Sequence, residues 1–198
     1  SVGSWVQYRS AVAICYIDCY VNFVIMQHSD WWAGQQPELP FELHFEFPSC
    51  TKMNMYKVND IAKYFLVLSD PKVGDLISNL KLQKLCYYAQ GFHLALHDKK
   101  LFPEKIEAWT HGPVIRELYQ KYKKYGDGVI PTPGSFDISI YDKNTQELLD
   151  EVYSVYGQYS AWKLRNMTHE EPPWKEAKES ASSISPSSMK EYFKTLVK

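Results

Sequence analysis

From about residue 57 onward, apolar side chains recur at helical spacing along the chain. Ile61, Phe65 and Leu68 follow one another at four and three, which predicts an amphipathic helix from near Asn59 to Leu68, capped by Asn59 and stopped by Asp70-Pro71. The strongest pattern is Ser78 to His97, where Leu82, Leu85, Ala89, Phe92 and Leu96 form a stripe expected of a central core helix that starts on Ser78. Gly91 interrupts that helix at a cost on the order of 1 kcal/mol relative to alanine, so it predicts another backbone crossing close by. Ile106 to Thr110 reads as a short strand at most. Pro113 suits the first turn of a further helix, in which Val114, Leu118 and Tyr122 share a face until Gly126 ends it.

Three more helices follow the same logic. One runs from about Thr145 to Tyr156 on Leu148, Leu149, Val152, Val155 and Tyr156, and Ser160 caps a short one from Ala161 to Met167. Pro172-Pro173 breaks the chain before Trp174, and a last helix starts at Ser188 with Glu191 completing a capping box. Ser180 to Ser188 reads as a serine-rich linker. The expected fold class is mainly α, a compact multi-helix domain with at most a small β element.

Composition adds a seam. The chain has 198 residues, enough for one domain plus an appendage. Residues 1–52 carry only Arg9 and Lys52 against Asp18, Asp30, Glu38, Glu42 and Glu46, and end in a stretch punctuated by Pro37, Pro40 and Pro48. They are expected to be an N-terminal extension outside the core domain, adding partner contacts, or an over-extended gene start, with Met53 or Met55 as the natural first residue. The core domain is expected over residues 55–198. The apolar run Ala11 to Met26 falls short of the roughly 20 residues a membrane span needs and holds Asp18 and Asn22, so no membrane association is expected. The formal net charge of -1 provides no field to gather phosphates, which disfavours nucleic acid as a partner. Cys15, Cys19, Cys50 and Cys86 form no secreted disulfide framework, which points to a reducing, cytoplasmic location.

Candidate chemistry is sparse. His93 and His97 share a helix face as zinc ligands do, but Leu94 stands where the general-base glutamate would follow, and no third ligand is evident. His111 before Gly112-Pro113, and His169 beside Glu170 and Glu171, are candidates for a general base, since histidine as a residue type changes charge near neutral pH. Neither has a nucleophile in a recognisable elbow, and a capping or core role is the plainer reading. Gly126 and Gly128 form no phosphate loop, and the basic run Lys121, Lys123, Lys124 is expected to face solvent. No catalytic residue, cofactor or metal is assigned. What remains is surface complementarity, for which tyrosine and tryptophan are the usual anchors. Tyr119, Tyr122 and Tyr125, with Tyr153 and Tyr159, are the candidate partner-binding side chains, although ordinary packing would account for each of them equally well.

Two blocks of sequence sharpen this. The first is Asn79-Leu80-Lys81-Leu82-Gln83-Lys84-Leu85-Cys86-Tyr87-Tyr88-Ala89-Gln90-Gly91-Phe92-His93, then Leu101-Phe102 and Ile106-Glu107-Ala108-Trp109-Thr110-His111-Gly112-Pro113-Val114. The second is Tyr159-Ser160-Ala161-Trp162-Lys163-Leu164, then Thr168-His169 and Pro173-Trp174. In order and spacing they closely resemble the Panacea domain of SocA-like antitoxins and phage-associated proteins, over about Met55 to Ala177. The resemblance implies a mainly helical fold, a gene paired with a toxin gene, often in a prophage, and neutralisation by direct binding without catalysis. One branch of the family is similar to proteolytic adaptors that deliver a toxin to a protease, which makes a bacterial protease a second expected partner. Trp109, His111, Gly112, Pro113, Trp162, Thr168, His169 and Trp174 are then fold-defining positions, some of them lining a surface groove. A third alternative, an enzyme built on His111 and His169, has only those two residues in its favour.

Overall fold

The computed structural model describes residues 55–70, 74–180 and 182–197. The expectations placed on the N-terminal extension, on Cys15, Cys19 and Cys50, and on Pro71 lie outside them. The described residues belong to one compact unit, Cys50–Lys198. In it, seven α-helices and one hairpin follow in the order α1 (Val58–Leu68), α2 (Asn79–His97), β1 (Ile106–Trp109), β2 (Gly112–Ile115), α3 (Arg116–Tyr122), α4 (Lys143–Tyr156), α5 (Ala161–Glu170), α6 (Pro172–Glu179) and α7 (Pro186–Leu196). Single 3-10 turns at Lys123–Tyr125 and Ile138–Ile140 lie between α3 and α4. The chain is thus mainly helical with a small β element, as its pattern predicts.

Of the helix starts that depend on a local side chain, those at Ser78 and Ser160 come out where expected, and a third, at Asp142, begins its helix two residues before the expected Thr145. Ser78 accepts from the Lys81 N–H, Asp142 from Thr145 and Ser160 from Lys163, each filling one of the orphan donors of a first turn. Helix α5 runs on past Met167 to Glu170. Starts that depend on distant partners differ. Asn59 lies inside α1 and turns its amide to Glu117. The first turn of α1 is instead closed by the carboxylate of Glu104, 3.3 Å from the Val58 N–H. The capping box at Ser188 and Glu191 is absent. Helix α7 begins at Pro186 after Ser185, with Ser188 donating to Glu176 at 2.7 Å. Pro172-Pro173 opens α6 rather than leaving a break, because proline at a first turn gives up a donor that has no helical acceptor there.

Helix α2 is the axle of the fold. It packs against α7 most extensively and also against α5, α4, β2, α1 and α3. Elements on every side bury the whole run Lys81–Gln90, so the expected one-sided stripe is replaced by burial all round, while Leu96 at its far end is exposed. Leu68, expected on the apolar face of α1, is exposed as well. Polar side chains inside α2 satisfy nearby backbone. The Gln90 amide accepts from the Leu101 and Phe102 N–H groups and donates to the Phe102 carbonyl at 3.0 Å. Gln83 accepts from the Ile115 N–H at 2.8 Å. What lies against Gly91 is a side chain and not a backbone: three atoms of the buried Phe193 ring on α7 occupy the space a Cβ would need.

Strands β1 and β2 pair antiparallel, Ile106 with Ile115 through Trp109 with Gly112, around the two-residue turn Thr110-His111. Pro113 and Val114 therefore lie in a strand opposite Ala108 and Glu107, and the helix that follows starts only at Arg116. The Gln83 amide and the Lys84 ammonium bind this strand's backbone and hold it extended. The serine-rich segment is also docked in part. Ser183 bridges to Glu107 on the outer edge of β1, and the buried Ile184 donates its N–H to the Ile106 carbonyl at 2.8 Å.

Candidate functional site

The turn of the hairpin and the start of α5 face each other across a cavity of about 660 Å³. Its apolar walls are Leu80 on α2, Trp109 and Val114 on the hairpin, Tyr119 on α3 and Trp162 on α5. His111, Asp127 and Lys178 supply its polar rim. Trp162 is 60 % exposed, an unusual state for so large an apolar ring.

The family-motif positions converge here although they come from three parts of the chain. The His111 ring meets Trp162 edge to face at 5.9 Å, and the Arg165 guanidinium lies over the same indole at 5.9 Å. His169 stacks on Trp174 at 3.9 Å, and the Trp174 indole donates to the Trp109 carbonyl at 3.2 Å, which ties α6 to the hairpin. Trp109 is fixed on its other sides by Tyr119 at 5.0 Å and by Arg116, which is itself held by Glu107.

Beneath the turn lies Lys84, wholly buried, with its ammonium donating to the Pro113 carbonyl at 3.0 Å. Gly112 has φ +96, and a Cβ there would sit 2.8 Å from the Thr168 hydroxyl and 2.9 Å from the Lys84 nitrogen. Only glycine permits both that backbone and that approach. Burial, with the nearby positive charge of Arg165, brings the Lys84 pKa down to about 7. His169 is held below the ordinary histidine value by burial and by Arg165, Lys84 and His111. The surroundings of these groups are thus cationic, with no carboxylate within ion-pair distance of Lys84, Arg165, His111 or His169 among the described residues.

Of the five candidate tyrosines, only Tyr119 lines this cavity. Tyr122 is buried in the core, and Tyr125 packs partly buried beside it at 6.4 Å. Tyr153 and Tyr159 line a second cavity with Asp75 and Lys81, where Tyr153 donates to Asp75. The His93 and His97 rings lie 4.8 Å apart, tilted by 57°, with His93 Nδ1 2.7 Å from the Lys99 carbonyl, and no cluster of metal-ligating side chains occurs among the described residues. Cys86 is fully buried and its thiol pushed well up by burial. Lys121, Lys123 and Lys124 face solvent. No described helix is long and apolar enough to cross a membrane.

Lys84 and Arg165 are the site residues that the sequence reading passed over. The signal for Lys84 was weak, since Lys81 three residues earlier marks the same side of the helix as polar, and its burial follows from what packs around α2. Arg165 had none, because its role follows from where α5 lands.

Compared with known proteins, residues 82–175 match the family model described as antitoxin SocA-like, Panacea domain. The match begins in α2 and ends in α6, and so contains the hairpin and every motif position of the cluster. No curated protein and no solved structure matches the chain.

Proposed function

We propose, on the match of residues 82–175 to the model of the SocA-like Panacea domain, that this protein is the antitoxin of a bacterial or prophage toxin–antitoxin pair, neutralising in the cytoplasm a cognate toxin encoded nearby by binding it directly. The family match carries this reading. The chemistry of the cavity supports binding over catalysis. His111 meets an indole rather than a nucleophile, His169 is stacked on Trp174, and the Cys86 thiol is buried and protonated. An apolar cavity with a polar rim has the make-up of an interface centre.

The test is co-expression with the neighbouring small reading frame. That frame is lethal alone, tolerated with this chain, and its product co-purifies at fixed stoichiometry. A frame harmless alone, or lethal in both cases, overturns the reading. A toxin half-life that shortens in the presence of this chain would instead make it an adaptor for a protease.

A further inference from the structure

The motif cluster holds more hydrogen-bonding capacity than the fold uses. Lys84 satisfies one of its three donors, on Pro113, and Arg165 bonds Asn166 at 2.9 Å, while Arg165 Nε and His169 Nε2 are buried without a hydrogen-bond partner. Two acids near the cluster are already engaged, Glu107 with Arg116 at 2.8 Å and Glu170 with Lys175 at 2.9 Å, and Asp127 lies on the cavity rim. Beside them the exposed Trp162, in contact with His111 and Arg165, lines the same cavity as Trp109. Unspent donors next to an open apolar slot describe a receptor whose ligand has both characters. Resting on the antitoxin reading, we propose that the cavity receives a segment of the protein partner in which a carboxylate lies next to a bulky apolar side chain. The apolar group lies between Trp109 and Trp162, and the carboxylate takes the donors of Arg165 and His111 over the buried Lys84. A nucleic-acid strand fits less well, since the walls are apolar, Asp127 sits on the rim and the chain has a net charge of -1.

The test uses the full chain with its tryptophan indoles labelled for NMR, and two capped peptides as probes, acetyl-Glu-Trp-Leu-amide and acetyl-Gln-Trp-Leu-amide. The indole signals of Trp109 and Trp162 shift on titration, and the acidic peptide binds about tenfold more tightly than the neutral one. Arg165→Gln and about 1 M salt each abolish that margin, and Trp162→Ala abolishes binding of both peptides. The Trp174 indole, bonded to the Trp109 carbonyl, reports that each variant is folded. Equal affinities for the two peptides, no shift at about 10 mM, or a larger shift with a short oligonucleotide would each overturn the proposal. If the neighbouring frame is harmless while the peptide result holds, the antitoxin reading falls and the receptor stands. If the toxin is neutralised and Trp162→Ala leaves its complex intact, the receptor falls and the antitoxin reading stands.

Discussion

Two ionisable side chains of opposite sign are buried against helix α2, Lys84 on the helix itself and Glu171 beside it, and their surroundings differ. Glu171, at the junction of α5 and α6, is buried and accepts from the hydroxyls of Tyr87 and Tyr88, each at 2.8 Å. Those rings lie among Tyr156 and Phe193, with Tyr88 stacked on Tyr156 at 3.9 Å. Burial raises its carboxyl to about 7, even though both tyrosine hydroxyls pull the value down. Lys84, one turn earlier, has a single carbonyl partner and lies under an open slot. The first charge is answered by groups of the same core and acts as a clasp between α2 and the α5–α6 junction. The second is left with a single carbonyl and the positive charge of Arg165 nearby, the arrangement expected of the proposed receptor and not of a closed structural network.

The largest expected effect breaks the Lys84 side of this contrast. In the unfolded chain this lysine keeps its proton up to about 10.5, whereas in the fold it loses it near 7. Between those values the unfolded state binds more protons, so stability rises with pH, by about 4 kcal/mol between pH 7 and 10 from this group alone. Denaturant titrations should show that rise in the wild type and its absence in Lys84→Met. Glu171 slopes the other way. Its carboxyl holds a proton to about 7 in the fold but only to about 4.5 unfolded, so its contribution falls by about 3 kcal/mol as pH climbs through that window. Glu171→Gln, which keeps the shape, should flatten that arm relative to wild type and leave the alkaline arm untouched.

Smaller effects follow for packing and surface. Gly91→Ala should cost about 2 kcal/mol, because Phe193 is fully buried and its ring must move. Adding Phe193→Leu should return part of that loss in the same denaturant series. Trp162→Ala should change stability by no more than about 0.5 kcal/mol, since its ring is mostly in solvent. A large loss of stability there would make the indole a structural element and remove the contrast with Glu171.

What could be read from the residues alone were features whose cause lies within a few positions. Ser78, Asp142 and Ser160 start helices because each accepts a bond from the N–H three residues on, and the fold keeps all three; Ser78 and Ser160 were legible in advance. The mainly helical class followed from spacing, and the two motif blocks contain residues that pack against one another around the hairpin turn, three of which, Trp109, His111 and Trp162, line the cavity. Tertiary structure decided whatever depends on who arrives from elsewhere. Pro113 lies in a strand because Gln83 and Lys84 hold that backbone extended. Asn59 yields its capping role to Glu104, 46 residues away in sequence. Helix α2 lost its solvent face because neighbours surround it, and only then did Lys84 become a buried cation. Local hydrogen bonds and periodicity are properties of a segment, whereas burial and the electrostatic company of a side chain are properties of the whole packed body.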